Sequence, residues 1–335
     1  MGYSIAKVNL GILKNNLSKV KKVLKNTKIC GVVKSNAYGH GLVQVSRAIE
    51  NMVDFFAVSF VEEGLKLRFS GIVKPILVLI PVTYAEFTIC SRYNLSVTVC
   101  NTNQIKQIKK LKISLNVHIA VNSGMNRLGI NKISQLNDII SLAKNSLINV
   151  EGIFSHFKNC EYNSCKKQFD IFKKFVKIAK KYNAEIISHI SSSAPAVLYN
   201  SFKEDMVRIG ILMYGYYPTD KKILNVKPCL KIYAENLVTR KLNKGENLLY
   251  GNYNLQSYKK ISIIKYGYAD GATRCSGKFN NRCMDMSAVS GAKKRVLVLD
   301  NAQKLAKEQG TIPYEILVSY TSRCQYIYEN NCRKT

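Results

Sequence analysis

The feature that most constrains this chain is a rhythm that repeats from residue 30 to about residue 215. Short apolar runs of strand type are followed by loops of polar or small residues and then by amphipathic helical patterns. Strands that alternate with helices in this way predict a parallel sheet. The eight strand candidates lie in the region of residues 30–34 and at residues 54–60, 75–80, 95–100, 115–121, 149–156, 185–191 and 205–212. Eight such units predict a closed (β/α)8 barrel of the TIM type, with a doubly wound open sheet as the alternative.

After about residue 225 the helical patterns fade, which indicates a second domain. Four further strand candidates follow, separated by turn sequences such as NKGEN and YADG, and these candidates are ENLVTRKL, ISIIKYG, RVLVLD and YEILVSY. The fold class that we predict is therefore α/β, with an N-terminal (β/α)8 barrel over residues 1–225 and a mostly-β domain over residues 226–335. Pro228 is the strongest chain-breaking residue near this boundary.

The charge balance could indicate an anionic partner, because 51 Lys and Arg residues stand against 21 Asp and Glu residues. The lysines, however, are spread along the polar faces of amphipathic helical patterns such as KKFVKIAKK. A solvated surface explains this distribution better than a binding site does, so we predict no specific nucleic-acid partner.

The ten cysteines form no Cys-x-x-Cys pair, and the four histidines lack the spacing of metal ligands, so we predict no metal site. No secretory signal is visible, which indicates reduced thiols. Apolar runs such as PILVLIPV are too short to span a bilayer as helices. We therefore expect a soluble, cytoplasmic protein without a membrane partner.

Active sites of parallel barrels form at the carboxyl ends of the strands, and this rule selects a small set of side chains. They are Lys34 after the first strand, Arg127 after the fifth, His156 at the end of the sixth, Ser193 after the seventh, and Arg208 with Gly210 in the eighth. Each has an ordinary alternative: a lysine reaching water, a buried histidine, a serine helix cap, or an arginine paired with Asp205. Their joint placement at one rim favours chemistry.

This set of side chains fits a carbonyl cofactor that carries a phosphate. A lysine at a barrel mouth, desolvated and flanked by cations, has a lowered pKa and a free amine for a Schiff base. Serine hydroxyls and backbone N–H groups at the start of a helix hold a dianionic phosphate. Pyridoxal 5'-phosphate is the cofactor that needs both.

Two motifs are similar to signatures of the alanine racemases. VVKSNAYGHG (32–41) resembles their pyridoxal-phosphate lysine motif, and GYADG (267–271) resembles their second signature. Weaker similarities follow in family order over nearly the whole chain, at NLGILKNNL, SGMNRLGI, EGIFSHF, SSSAP, DMVRIGILMYG and NRCMDM.

The resemblance implies a fold-type III enzyme that works as a head-to-tail homodimer with active sites shared between subunits. Such an enzyme interconverts L-alanine and D-alanine and supplies D-alanine for cell-wall peptidoglycan. Lys34 would form the Schiff base and act as the base toward D-alanine. Tyr268 of the partner subunit would act on the opposite face, toward L-alanine.

The resemblance also assigns the binding residues. The cofactor would be held by Lys34, Tyr38, His156, Ser193, Arg208, Gly210 and Ile211, and the substrate by Arg127 and the backbone at Met284. Arg127 and His156 would tune Tyr268. A guanidinium has no acceptor and stays charged, so Arg208 would keep the pyridine nitrogen unprotonated, which favours reprotonation at Cα over transamination.

Three departures from the family pattern raise questions. Ala120 and Asn122 stand where the family often has Lys-x-Asp, and because that lysine positions the arginine equivalent to Arg127, another anchor is needed here. Segment 272–281 is shorter than usual, which bears on dimerisation and activity. Ser322 falls where some members carry a phosphate-contacting tyrosine, and Tyr320 is a candidate substitute.

Two alternatives to a strict alanine racemase remain. One is a broader-specificity amino-acid racemase of the same fold, and the other is a non-catalytic pyridoxal-phosphate-binding homologue. The presence of Tyr268, a second base on an added β domain, favours an enzyme.

Overall fold

The computed structural model describes residues 4–144, 146–219, 222–250, 257, 259–273 and 281–330. Strand β1 (Ile5–Asn9) leads directly into helix α1 (Leu10–Leu24). The helix begins where Asn9 Oδ1 accepts a hydrogen bond from the backbone N–H of Ile12 at 2.9 Å, which satisfies one of the free donors of the first turn.

Eight parallel strands form the barrel, as the sequence predicts. They are β2 (Lys28–Val32), β3 (Phe55–Val58), β4 (Ile76–Val78), β5 (Leu95–Val99), β6 (Leu115–Ala120), β7 (Ile148–Phe154), β8 (Ile187–His189) and β9 (Met206–Ile209). Their order in the sheet is β8-β7-β6-β5-β4-β3-β2-β9, and each overlaps one of the eight strand candidates. The ring closes where Arg208 N donates to Ser191 O at 3.0 Å. The barrel is confirmed, and the doubly wound open sheet is wrong.

Helices connect the barrel strands and cover them. They are α2 (Lys34–Gly39), α3 (Leu42–Ile49), α4 (Val61–Phe69), α5 (Tyr84–Arg92), α6 (Thr102–Leu111), α7 (Ile133–Ala143), α8 (Tyr162–Tyr182) and α9 (Ser193–Leu198), with short 3₁₀ turns at Glu50–Met52 and Asn200–Phe202. Helix α8 buries Phe172, Phe175 and Val176 against the barrel, whereas Lys173 and Lys177 face solvent. This amphipathic division is the one that the lysine pattern predicts.

A second, mostly-β unit follows the barrel. Its strands are β10 (Leu230–Leu242), β11 (Lys259–Ile264), β12 (Asn281–Arg282), β13 (Ser287–Ser290), β14 (Arg295–Leu299) and β15 (Gln325–Glu329). The sheet order is β12-β13-β11-β10-β1-β15, and β14 pairs with β10. Strand β1 therefore belongs to this second sheet, although the predicted division at residue 225 groups it with the barrel.

One strand candidate of this second unit is wrong. YEILVSY lies in helix α11 (Pro313–Tyr320), which follows helix α10 (Ala302–Glu308). Its aromatic and β-branched residues favour a strand, but Pro313 occupies the first helical turn, where its missing N–H costs nothing. Ile316, Leu317 and Tyr320 are buried at helical spacing, so tertiary packing decides in favour of the helix.

Among the described residues, no helix combines the length and the apolar character that crossing a bilayer requires. Most of the short segment 272–281 lies outside the described residues.

Candidate active site

A cavity of about 660 Å³ opens at the carboxyl ends of the barrel strands. Eight of the predicted site residues line it together: Lys34, Tyr38, Arg127, His156, Ser193, Arg208, Gly210 and Ile211. Three of its lining residues are cations, and none of the lining residues, all in the described part of the chain, is Asp or Glu. A cavity with this charge is suited to an anionic ligand.

Lys34 lies just beyond β2, at the start of an unusual backbone turn. The residues from Ser35 to Tyr38 have φ between 52 and 54° and ψ between 42 and 55°, which makes one turn of left-handed helix. This conformation costs roughly 1–2 kcal/mol for each residue with a Cβ. It is held by hydrogen bonds from Ala37 N to Val33 O at 2.8 Å and from Gly41 N to Asn36 O at 2.9 Å. Backbone strain of this kind clusters at functional sites, where the surrounding structure holds it in place.

The amine of Lys34 is half-buried in the cavity wall. Burial lowers its pKa from the ordinary value of 10.5, and the positive charge of Arg127 lowers it further, against the opposing effect of Glu63. A larger fraction of this lysine is therefore unprotonated near neutral pH than of a lysine in water.

Hydroxyl and amide groups gather on one wall of the cavity. Tyr38 is buried, which raises the pKa of its hydroxyl and keeps that hydroxyl protonated. A Cβ on Gly210 would lie 2.7 Å from Tyr38 Oη. Only glycine, which has no Cβ, lets the tyrosine hydroxyl come this close to the backbone. Gly210 N donates to Ser193 Oγ at 3.0 Å. Groups of this kind recognise phosphate oxygens.

Arg208 lines the cavity and is almost fully buried. Its guanidinium makes five hydrogen bonds of 2.7 to 3.2 Å, which run to His189 Nδ1, His189 O, Ser155 O, His156 Nδ1 and Ile190 O. Asp205 forms an ion pair with Lys180 at 2.7 Å. The alternative in which Arg208 is the partner of Asp205 is therefore wrong. Burial lowers the pKa of Arg208 to about 10, and the group stays charged at neutral pH.

His156 is the acceptor at the edge of this arginine. Its Nδ1 lies 3.0 Å from Arg208 Nη2, which can only donate. Burial and then the charge of Arg208 lower the pKa of His156 to about 3, so the imidazole is neutral across the physiological range.

Arg127 lies on the loop between β6 and α7, and Asn122 organises that loop. Asn122 Oδ1 accepts from the backbone N–H groups of Gly124 and Asn126 at 3.2 and 2.9 Å. Its amide donates to Asn126 Oδ1 at 2.9 Å and Asn131 Oδ1 at 2.8 Å. Asn122 is thus the local anchor of the loop. Within the described residues, the exposed Arg127 guanidinium makes no hydrogen bond or ion pair and is free to meet a ligand.

Tyr268 and Met284 do not line this cavity. Both belong to the second unit, where Tyr268 N donates to Cys283 O at 3.2 Å and Ala269 N donates to Met284 O at 2.9 Å. The two residues are 42% and 54% exposed. The two residues form a separate surface, which we call the Tyr268–Met284 surface.

Sequence reasoning missed Tyr314, which lines the cavity at the start of α11. Its ring centroid lies 5.7 Å from that of Tyr38. The close packing of α11 on α2, in which a Cβ on Gly39 would lie 2.4 Å from Leu317 O, places Tyr314 there. Pro313, a helix-start signal, was the available sign.

Ser322, which falls where some family members carry a phosphate-contacting tyrosine, and its candidate substitute Tyr320 both lie outside the cavity lining. Tyr320 is buried, and its hydroxyl accepts a hydrogen bond from Gln309 Nε2 at 2.9 Å. No group of three or more His, Cys, Asp and Glu side chains placed to hold a metal ion occurs within the described ranges.

Comparison with known proteins places the chain among relatives of known name. Family models described as alanine racemase, N-terminal domain, and alanine racemase, C-terminal domain, match residues 8–218 and 229–328. A curated relative, the alanine racemase of Lactococcus lactis subsp. cremoris (strain SK11), is 32% identical over 355 aligned positions, which cover 96% of this chain and 97% of the relative.

Solved structures agree with this relationship. The alanine racemase of Clostridium difficile 630 superimposes with a TM-score of 0.91 at 31% identity, covering 98% of this chain and 96% of that one. The alanine racemase of Bacillus anthracis with bound L-Ala-P has a TM-score of 0.92 at 26% identity, covering 99% and 96%. The chain therefore belongs to the alanine racemase family, whose members are isomerases.

Proposed function

We propose that this protein racemises L-alanine and D-alanine with pyridoxal 5'-phosphate and two bases, Lys34 and Tyr268 of the partner subunit. One observation carries the proposal most directly. A half-buried lysine with a lowered pKa lies in the wall of a cavity. The lining of that cavity contains three cations, of which this lysine is one, and no carboxylate. A phosphate dianion and a substrate carboxylate together supply the negative charge that such a cavity lacks.

The residues fit the cofactor at each of its polar ends. Lys34 offers the amine that an aldehyde needs. The hydroxyls of Tyr38, Tyr314 and Ser193, with the backbone at Gly210 and Ile211, offer donors to a phosphate. Arg208 would face the ring nitrogen, and because a guanidinium has no acceptor it could only donate to that nitrogen. When bound, pyridoxal phosphate withdraws electrons and stabilises negative charge at the substrate Cα.

The chain's own residues then divide the proton transfers. Lys34 Nζ accepts or donates a proton on one face of Cα, and it is the base that removes the α-proton of D-alanine. The Oη of Tyr268 of the partner subunit does the same on the opposite face, for L-alanine. Inversion at a planar carbon requires a proton donor or acceptor on each face, and a single base would return the proton to the side it left.

Within one chain Tyr268 is exposed and lies outside the cavity, which supports a second base supplied by another copy. We therefore propose a head-to-tail homodimer in which the Tyr268–Met284 surface of each subunit closes the cavity of the other. Arg127 and the backbone of Met284 of the partner subunit would bind the substrate carboxylate. His156 would support these groups as a neutral acceptor beside Arg208.

Alanine is the proposed substrate because the curated relatives and the similar solved structures are named alanine racemases. These relatives are bacterial. We assign the reaction to the cytoplasm, as the supply of D-alanine for peptidoglycan, without a specific nucleic-acid or membrane partner.

The test combines binding with turnover. Purified protein with pyridoxal phosphate is expected to show the visible absorption band of the lysine-bound cofactor and, after borohydride reduction and digestion, a label on Lys34. Loss of optical rotation from L-alanine follows turnover, with serine and lysine as competing substrates. Lys34→Ala is expected to lose band and turnover together, whereas Lys158→Ala, an exposed lysine outside the cavity lining, keeps both.

The remaining outcomes separate the alternatives. A labelled Lys34 without racemisation of any amino acid identifies a non-catalytic cofactor-binding homologue. Turnover of serine or lysine equal to that of alanine identifies a broader amino-acid racemase. A protein that gains no band would overturn the proposal.

A further inference from the structure

Arg208 is a buried cation whose five hydrogen-bond partners include no carboxylate. A chain of hydrogen bonds runs from it across the barrel interior instead. Arg208 Nη1 lies 2.7 Å from His189 Nδ1, His189 Nε2 lies 2.9 Å from His118 Nδ1, and His118 Nε2 lies 3.0 Å from a carboxylate oxygen of Glu151. We call this series the Arg208–Glu151 chain.

Every proton in the chain has a fixed place. A guanidinium only donates, so His189 Nδ1 accepts, and the neutral ring carries its proton on Nε2. That proton is donated to His118 Nδ1, so His118 in turn carries its proton on Nε2 and donates it to Glu151. Reversal at His189 would turn its N–H toward Arg208 Nη1, which can only donate, and reversal at His118 would turn its N–H toward the N–H of His189. The direction of all three bonds follows from having an arginine at one end and a carboxylate at the other.

The surroundings make this arrangement consequential. His118 and His189 are fully buried, and Arg208 is 4% exposed. Burial opposes ionisation of Glu151, but hydrogen bonds from His118 and from Ser96 Oγ, which lies 2.5 Å away, outweigh it and lower its pKa. An uncompensated buried charge is strongly destabilising. The Glu151 carboxylate is the acidic group that ends the series of hydrogen bonds from Arg208 through the two rings.

We propose that Glu151 is a positioning residue for the reaction, acting through His118 and His189 to hold the orientation and charge of Arg208. This inference rests on the proposed function, in which Arg208 meets the ring nitrogen of the cofactor. A loosened Arg208 opposes protonation of that nitrogen less. The protein then releases more pyruvate, with the amino group of alanine left on the cofactor as pyridoxamine phosphate and one water consumed.

The first test needs no cofactor. The chain has four histidines, so the imidazole ¹⁵N resonances of the protein can be assigned one by one. His118 and His189 are both expected as neutral rings protonated on Nε2. A ring protonated on Nδ1, or a doubly protonated ring, at either position would overturn the chain whether or not the protein racemises alanine.

The second test uses the holoenzyme with Glu151→Gln, which keeps an acceptor oxygen but removes the charge. The ratio of pyruvate formed to alanine racemised is expected to rise roughly tenfold, as loss of one member of a coupled polar network permits. Glu161→Gln, an exposed carboxylate outside the chain, is expected to keep the wild-type ratio.

If Glu151→Gln does not fold, Ser96→Ala removes only the hydroxyl donor and is expected to shift the ratio in the same direction by less. A folded variant with an unchanged ratio would refute the positioning role. Failure of the wild-type protein to bind the cofactor or to racemise would refute the proposed function, and the histidine tautomers would still report on the chain.

Discussion

The barrel-mouth cavity and the Tyr268–Met284 surface differ in how completely one chain finishes them. In the cavity, Arg208 is held by five hydrogen bonds, and a left-handed turn places Lys34 and Tyr38 in the wall. Tyr268 and Met284 are exposed, on a surface of the second unit outside that cavity. One chain thus builds a cavity lined by Lys34 and Arg208, whereas the residue proposed as the second base lies on an exposed surface outside that cavity. This difference favours the proposal that another copy supplies the second base.

The two arginines of the cavity show the same contrast on a smaller scale. Arg208 is buried and fixed, as suits a group that meets the invariant part of a ligand. Arg127 is exposed and lies on a loop organised by Asn122, with its guanidinium free of partners in the described part of the structure. A free cation at the mouth suits the group that arrives and leaves, the substrate carboxylate.

The largest effect that sharpens this comparison is expected for Tyr268→Phe. Loss of a general base lowers turnover by roughly 10²–10⁴-fold. Cofactor absorbance stays unchanged, because Tyr268 is not among the residues proposed to hold the cofactor. Stopped assays of racemisation and cofactor titrations measure the two quantities separately. Equal loss of binding and turnover would assign Tyr268 a structural role.

A smaller effect is expected for Asn122→Ala, which removes four hydrogen bonds from the loop that carries Arg127. The KM for alanine is expected to rise roughly tenfold, since a misplaced binding group loses preorganisation, with little change in cofactor affinity. Asn116→Ala is the matched control, because Asn116, on the strand that precedes this loop, accepts a hydrogen bond from Asn149 at the surface. An unchanged KM would contradict the role of Asn122 as the anchor of this loop.

The smallest effect concerns proton affinity at Lys34. Burial and the charge of Arg127 both lower the pKa of Lys34, so Arg127→Gln raises it while burial still holds it down. A smaller fraction of the amine is then neutral at a given pH, and the pH profile for capture of pyridoxal phosphate by the apo-protein moves to higher pH. Arg127→Lys keeps the charge and the wild-type profile. A profile that stays in place in Arg127→Gln would show that the two charges do not interact.

The sequence was informative where position along the chain determines position in space. The carboxyl ends of parallel strands meet at one rim, so Lys34, His156 and Arg208 could be placed together before the fold was seen. Their residue types and order then predicted the kind of ligand.

Other features depend on contacts that no local pattern records. Strand β1 joins the second sheet by pairing with strands that lie more than two hundred residues away. Tyr314 was hidden because the composition of YEILVSY favours a strand, whereas packing makes it a helix. The Arg208–Glu151 chain joins residues on different strands, and their side chains meet only inside the closed barrel.

The most direct test of the central claim is complementation between two inactive variants. Lys34→Ala and Tyr268→Phe subunits, co-expressed with different affinity tags, form mixed dimers in which one of the two sites keeps both bases. Random assembly makes about half of the dimers mixed, so about a quarter of wild-type activity is expected to return. Mixed dimers that are recovered through both tags and remain inactive would contradict a site shared between subunits.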